Sequence, residues 1–152
     1  METISNLIQV NEKLFTSGQP TQEEFELIAN SKFNLVINLG LTSSVGKLDR
    51  EDDIVTSLGM NYIHIPVDFE KPTIKNLNDF LKLLYTFKNE KIWIHCIKNY
   101  RVSAFMYVYH KYVLQTPFEE IDLEIFEQWQ PSKEWQELMK TPIEELDLSF
   151  LN

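Results

Sequence analysis

The chain has 152 residues, 43% of them hydrophobic and 24% charged, which fits one soluble domain with a sizeable core; we predict a single domain over 1–152. No apolar run approaches the roughly 18 residues of a membrane span, so we expect no membrane partner. The formal net charge of -9 repels polyanions and argues against DNA or RNA as a main partner.

The N-terminus lacks the basic and apolar regions of a signal peptide, and we expect a cytoplasmic protein. Residues 7–15 are predicted to form an irregular strand that leads into a turn at 16–20. Thr21 and Glu24 then make a capping box, which predicts a helix over 22–30.

The middle of the chain continues the alternation of strands and helices. Residues 33–39 are apolar and β-branched, as in a buried parallel strand. An acidic helix is predicted from Asp49 to Gly59, with the glycine as its C-terminal cap. The next strand is predicted at 62–67, and Pro66 places this segment at a strand end or a sheet edge.

In the last half, Thr73 is predicted to cap a long amphipathic helix, and a short apolar strand follows at 92–95. Alternating strands and helices predict an α/β fold with a central sheet of four or five mainly parallel strands flanked by helices. Three more helices are predicted at 102–114, 118–129 and 132–139.

The most informative segment begins where the strand at 92–95 ends. Cys96 follows this strand directly, and Arg101 stands five positions later at the start of a predicted helix. Ligands of open α/β sheets bind beyond the carboxyl ends of the strands. A loop that enters a helix N-terminus supplies convergent N–H groups for a phosphate, and an arginine fork can grip two phosphate oxygens. We therefore predict that this loop binds phosphate through Ile97, Lys98, Asn99, Tyr100 and Arg101.

The same positive potential favours the thiolate form of Cys96, which makes it a candidate nucleophile. The alternative for Cys96 alone is an inert buried cysteine. His95 either hydrogen-bonds the loop backbone and supports Cys96, or is a core histidine at a strand end. Asn99 stands where such loops need a positive φ, which asparagine tolerates better than most residues. The lone cysteine excludes an internal disulfide, and the histidines lack metal-ligand spacing, so we expect no metal and no cofactor.

At this point the sequence resembles a known family. The His-Cys and Arg positions resemble the signature of protein tyrosine and dual-specificity phosphatases. More specifically, residues 13–138 resemble the bacterial dual-specificity-like phosphatase domain that is also found fused to β-lactamase-like hydrolases. The resemblance implies the cysteine-phosphatase fold and a phosphorylated protein or small molecule as substrate. The matching stretches are 17–20, 36–39, 62–67 with 72–73, and 95–105.

The resemblance also implies roles for individual residues. In these phosphatases a cysteine attacks phosphorus, an arginine binds the phosphate oxygens, and an aspartate protonates the leaving oxygen. Cys96 and Arg101 match the first two roles. Asp68 matches the third because it follows a strand where the acid loop begins, and Asp53 and Glu70 are weaker candidates.

The sequence departs from the family pattern at two places. Four residues separate Cys96 from Arg101, where the family has five. The hydroxyl residue that usually follows the arginine is Val102 here, and Ser103 stands one position later. Because that hydroxyl helps the thiolate leave, the resemblance implies a supporting role for Ser103 and slow turnover.

Three functions therefore stay open. The favoured one is a cysteine-dependent phosphatase acting on phosphomonoesters, because the turn at 17–20 and the stretch 65–68 are similar to the phosphatases. The second is a rhodanese-like sulfurtransferase, because a four-residue loop also resembles single-domain rhodaneses. The third is a module that binds a phosphorylated partner without turning it over. The oligomeric state cannot be read from the sequence.

Overall fold

A computed structural model describes residue 1 and residues 3–151. Its centre is one five-stranded sheet with the spatial order β1-β2-β5-β3-β4. Four of the strands are parallel, and only the short β1 runs antiparallel to its neighbour. This confirms the predicted α/β class and the mainly parallel sheet. The strands are β1 (Ile8–Gln9), β2 (Leu14–Ser17), β3 (Leu35–Asn38), β4 (Asn61–His64) and β5 (Ile92–His95).

Five α-helices accompany the sheet, and two of them begin at the predicted caps. The Thr21 hydroxyl accepts from the Glu24 amide at 3.1 Å, and the Glu24 carboxylate accepts from the Thr21 amide at 2.9 Å. Thr73 accepts from the Asn76 amide at 3.0 Å. None of the described helices is long and apolar enough to cross a bilayer. The helices are α1 (Gln22–Asn30), α2 (Glu51–Ser57), α3 (Ile74–Thr86), α4 (Tyr100–Tyr109) and α5 (Lys133–Met139).

Helices cover both faces of the sheet, and strand alternation divides the core in two. In β5, Ile92 and Ile94 belong to the larger cluster, which contains α3, α4 and α5 side chains. Trp93 faces the smaller cluster with residues of α1 and α2. Because side chains alternate between the faces of a strand, β5 is buried on both sides. Cys96 therefore emerges at the carboxyl end of the most enclosed part of the sheet.

Two local predictions were wrong. The turn predicted at 16–20 begins later, because Thr16 and Ser17 still pair with β5 as the end of β2. The single helix predicted at 118–129 is two short 3₁₀ turns, Phe118–Glu120 and Glu124–Glu127. Between them the Asp122 carboxylate accepts from the Glu124 amide at 3.0 Å. Such a local side-chain bond competes with helical pairing and breaks the helix.

One helix end and one strand end differ from the bounds that the sequence predicted. The last five residues of the helix predicted at 102–114 form a π-helical turn, His110–Leu114. The edge strand β4 ends at His64, and Pro66 lies two residues beyond that end. The position of Pro66 agrees with both features that the sequence predicted for it.

Candidate active site

The segment from Cys96 to Arg101, called here the phosphate loop, connects β5 to α4. Cys96 is 1% exposed and follows the last residue of β5 directly. Asn99 has φ +67° and ψ +15° and precedes the first residue of α4. This confirms that the loop needs a left-handed residue at that position, which asparagine supplies at lower cost than most side chains.

The carbonyl groups of the phosphate loop are held by partners outside it. The Ile97 carbonyl accepts from the Gln19 backbone amide at 2.9 Å. The Lys98 carbonyl accepts from the Asn6 side-chain amide at 2.9 Å. Within residues 1 and 3–151, no group accepts a hydrogen bond from the backbone amides of 97–101. The free amides include the first N–H groups of α4, so they can bind an anion at a helix N-terminus.

Arg101 joins the phosphate loop to the segment that follows β4. Its Nη1 donates to the Val67 carbonyl at 2.9 Å, and its guanidinium carbon lies 5.7 Å from the centre of the Phe69 ring. The side chain is 5% exposed. Since a guanidinium carries five N–H donors, the bond to Val67 leaves others for phosphate oxygens.

An open pocket of about 410 Å³ lies over Cys96. Asp68 lines this pocket, and its carboxylate accepts from the Glu70 amide at 2.9 Å. Asp53 lies elsewhere, on α2, in an exposed ion pair with Arg50 at 2.7 Å. Two of the three acid candidates therefore reach the pocket. Its other lining residues are Leu41, Ser43, Ser44, Val45, Phe69, Glu70, Ile97, Lys98, Tyr100 and Arg101.

Aromatic side chains fix one wall of the pocket. The rings of Tyr100 and Trp129 are parallel within 2°, with centroids 5.0 Å apart. Trp135 is fully buried, and its indole N–H donates to the Phe69 carbonyl at 2.7 Å. That bond satisfies the one polar group of a buried tryptophan and holds the backbone next to Asp68.

His95 supports the loop from below. It is fully buried, with Nδ1 2.9 Å from the Cys96 carbonyl and Nε2 2.6 Å from a Glu51 carboxylate oxygen. The Gln19 side chain donates to the other Glu51 oxygen at 2.6 Å. Burial opposes the charge on Glu51, yet His95, Gln19 and Tyr62 together hold the pKa of that carboxyl below its ordinary value.

Sequence reasoning missed Glu51 altogether. It lies 44 positions from His95, and it shares the acidic start of α2 with Asp52 and Asp53. The only sequence signal was an acidic first turn, which any helix dipole favours.

Ser103, predicted to support the site, does not line the pocket over Cys96. It is 8% exposed and lines a separate small cavity with Thr16 and His110. In the described part of the chain, its hydroxyl has no hydrogen-bond partner. The same part of the chain holds no group of three or more His, Cys, Asp or Glu arranged for a metal ion.

The fold and the loop define a cysteine-phosphatase-type domain, and comparison with known families agrees. A model described as a dual-specificity-type phosphatase (DSP-PTPase) fused to NAD⁺ kinase matches residues 4–141. The chain belongs to this family. The comparisons support a cysteine-based phosphatase and favour neither the sulfurtransferase nor the binding module. A search of curated proteins gave no significant match.

Solved structures show the same fold. A DUF442 candidate phosphatase from Shewanella putrefaciens CN-32 is 31% identical, with 91% of each chain covered and a TM-score of 0.83. TpbA of P. aeruginosa is 16% identical, covering all of this chain and 94% of that one, with a TM-score of 0.76. The PP-IP phosphatase SIW14 of S. cerevisiae is 17% identical over 93% of this chain and 88% of that one, with a TM-score of 0.73.

Proposed function

We propose that this protein hydrolyses phosphomonoesters of the protein tyrosine or dual-specificity type through a phospho-enzyme on Cys96. One observation carries the proposal. Cys96 and Arg101 line the same pocket at the two ends of a loop whose amides have no acceptor within residues 1 and 3–151. A nucleophile, a guanidinium fork and free amides in one place match what transfer of a dianionic phosphoryl group needs.

The reaction has two steps. The Cys96 thiolate attacks phosphorus and the ester P–O bond breaks, while Asp68 gives a proton to the leaving oxygen. Water then attacks the phosphocysteine and gives a proton to the Asp68 carboxylate, the S–P bond breaks, and phosphate leaves as the thiolate returns. The loop amides and Arg101 stabilise the charge on the oxygens in both steps.

The pocket supports an aromatic monophosphate as substrate. Its walls include the aromatic side chains of Phe69 and Tyr100, which can pack against a flat ring. Its two cations, Lys98 and Arg101, are matched by the carboxylates of Asp68 and Glu70. That charge balance suits one phosphate better than a polyphosphate. Among the structural relatives, a TpbA variant was crystallised with phosphotyrosine, whereas SIW14 is described as acting on PP-IP.

We also propose that the protein works in the cytoplasm. The reaction needs Cys96 as a free thiol, and the chain has no second cysteine. A reducing compartment keeps such a thiol from oxidising or pairing with another molecule.

A pair of assays tests the proposed function. Wild type and Cys96→Ser are compared on an aryl phosphate, and separately on thiosulfate with cyanide. We expect the wild type to release phosphate slowly, Cys96→Ser to release none, and neither to form thiocyanate. Thiocyanate without phosphate release would establish the sulfurtransferase instead. Tight phosphopeptide binding that survives Cys96→Ser, without turnover, would establish the binding module.

A further inference from the structure

The N-terminal segment, residues 4–6, bonds to the phosphate loop and to the turn beside it without lining the pocket over Cys96. Ile4 is 2% exposed and belongs to the smaller core cluster, which anchors the segment. The Ser5 carbonyl accepts from the Gly18 amide at 2.7 Å, next to the turn that holds Ile97. Asn6 follows with φ +50°, a left-handed conformation. The segment is therefore a built part of the site's surroundings.

Two asparagines exchange hydrogen bonds between this segment and the loop. The Asn6 side-chain amide donates to the Lys98 carbonyl at 2.9 Å. In return, the Asn99 side-chain amide donates to the Asn6 carbonyl at 2.9 Å and to the Thr16 hydroxyl at 3.0 Å. Asn6 and Asn99 both have positive φ. The Asn99 side chain bonds the carbonyl of Asn6, and the Asn6 side chain bonds the carbonyl of Lys98, which belongs to the peptide unit that precedes Asn99.

These bonds determine where the loop amides point. In a planar trans peptide, the C=O of one residue and the N–H of the next point in opposite directions. Fixing the Lys98 carbonyl toward Asn6 therefore turns the Asn99 amide the other way, as the Gln19 bond to the Ile97 carbonyl does for the Lys98 amide. Two successive N–H groups, those of Lys98 and Asn99, are oriented by residues that do not line the pocket over Cys96.

We propose that Asn6 is a positioning residue for oxyanion binding, which it assists by orienting the backbone amide of Asn99. This proposal rests on the proposed function, since it assigns the loop an oxyanion ligand. Asn6 does not line the pocket over Cys96. It acts through the Lys98–Asn99 peptide plane, because its bond to the Lys98 carbonyl sets the direction of the Asn99 N–H. This orients one of the few amides of a loop that has only four residues between Cys96 and Arg101.

The test uses Asn6→Gly, which keeps the positive φ accessible and removes only the side-chain donor. Lys32→Gly is the matched control, because Lys32 also has positive φ (+72°) and lies outside the pocket. The readouts are the dissociation constant of tungstate, the rate of Cys96 alkylation by iodoacetamide, and the melting temperature. We expect Asn6→Gly to weaken tungstate binding about 3- to 10-fold, the scale of one hydrogen bond. We expect slower alkylation of Cys96 as well, because an N–H group turned away from the loop no longer stabilises the thiolate. In Lys32→Gly the tungstate dissociation constant and the alkylation rate should both be unchanged.

A second variant, Asn6→Ser, is used if Asn6→Gly does not fold. It also removes the bond to the Lys98 carbonyl, because a serine hydroxyl is too short to reach it. An unchanged tungstate constant in either folded variant would overturn the role of Asn6 and leave the proposed function intact. A wild type that binds tungstate but releases no phosphate would overturn the proposed function and leave the role of Asn6 in place. A wild type that binds no tungstate would overturn both.

Discussion

Cys96, Arg101 and Asp68 reach one pocket from two segments of the chain that are far apart in sequence. Arg101 holds these segments together, because it donates to the carbonyl of Val67, the residue before Asp68. Under the proposed function, the same side chain binds the phosphate and positions the backbone next to Asp68, the proposed acid. Asp68 and Glu70 both line the pocket, so their position does not decide which of them is the general acid; activity measurements on variants do.

Substitution of the three candidate acids separates their roles. Asp68→Asn should lower hydrolysis of an aryl phosphate with a poor leaving group about 10²–10⁴-fold, the usual effect of losing a general acid. An ester with a very acidic leaving group should be hardly affected, because its oxygen needs no proton. Steady-state kinetics on both esters measures the difference.

Glu70→Gln and Asp53→Asn are the matched controls for that experiment. Asp53 is outside the pocket and paired with Arg50, so its variant should behave as wild type. If Glu70→Gln showed the large loss on the ester with the poor leaving group and Asp68→Asn did not, the general acid would be Glu70.

Among the elements, the turn after β2 packs directly against the phosphate loop, although the two are far apart in the sequence. A Cβ atom on Gly18 would lie 2.5 Å from the Ile97 carbonyl oxygen, closer than real Cβ atoms approach. The Gln19 amide donates to that same oxygen. The glycine is needed for this close approach, and the turn and the phosphate loop form one packed unit.

Gly18→Ala should therefore disturb the site more than its small size suggests. Overpacking costs about 1–3 kcal/mol, and here the nearest atom is backbone of the phosphate loop, so tungstate affinity should fall together with stability. Calorimetric titration with tungstate and thermal unfolding measure the two effects.

Gly59→Ala supplies the contrast. Gly59 has φ +87° and nothing within 4 Å of its would-be Cβ, so alanine there should cost about 1–2 kcal/mol of stability without changing tungstate affinity. Equal affinities in the Gly18→Ala variant and the wild type would show that the loop does not depend on the turn.

What the sequence predicted well was local. The capping box of α1 involves residues three positions apart, and the phosphate loop is contiguous with the strand before it and the helix after it. The positive φ of Asn99 agrees with the tolerance of asparagine for that conformation at a loop that enters a helix. Patterns of this kind depend on neighbours along the chain more than on distant partners, so they can be predicted from the sequence.

What the sequence did not predict depends on distant partners. Glu51 meets His95 across 44 positions, and Asn6 meets Lys98 across 92 positions. Neither residue type is unusual at its own place in the sequence. Ser103 shows the reverse case, since its helix turns it toward a cavity beside Thr16 instead of the pocket. Only the packing of α4 on the sheet decides that direction.

For the molecule as a whole, the buried Glu51–His95 pair links the site to stability. Both partners are at most 5% exposed, so removing the charge of Glu51 replaces the charged acceptor of His95 and Gln19 by a neutral amide. We expect Glu51→Gln to lower the free energy of unfolding at neutral pH by about 1–3 kcal/mol, the scale of a hydrogen bond to a charged group. Denaturant unfolding measures this, with the exposed Glu26→Gln as the control that should change nothing.

The pH dependence of that difference has a definite sign. The pKa of Glu51 is lowered in the folded state, so its contribution is present above the ordinary value of 4.5 and is lost as the pH falls through the lower folded value. The stabilities of wild type and Glu51→Gln should therefore converge in acid. A difference that grew as the pH fell would contradict the charged state of Glu51.

The central claim is that Cys96 carries the phosphoryl group during turnover. Rapid mixing with an aryl phosphate, acid quenching and mass spectrometry of the peptide that contains Cys96 test it directly. We expect a phosphoryl adduct on Cys96 that decays to inorganic phosphate at the rate of turnover, and no adduct in Cys96→Ser. Phosphate release without any adduct, continuing in Cys96→Ser, would contradict it.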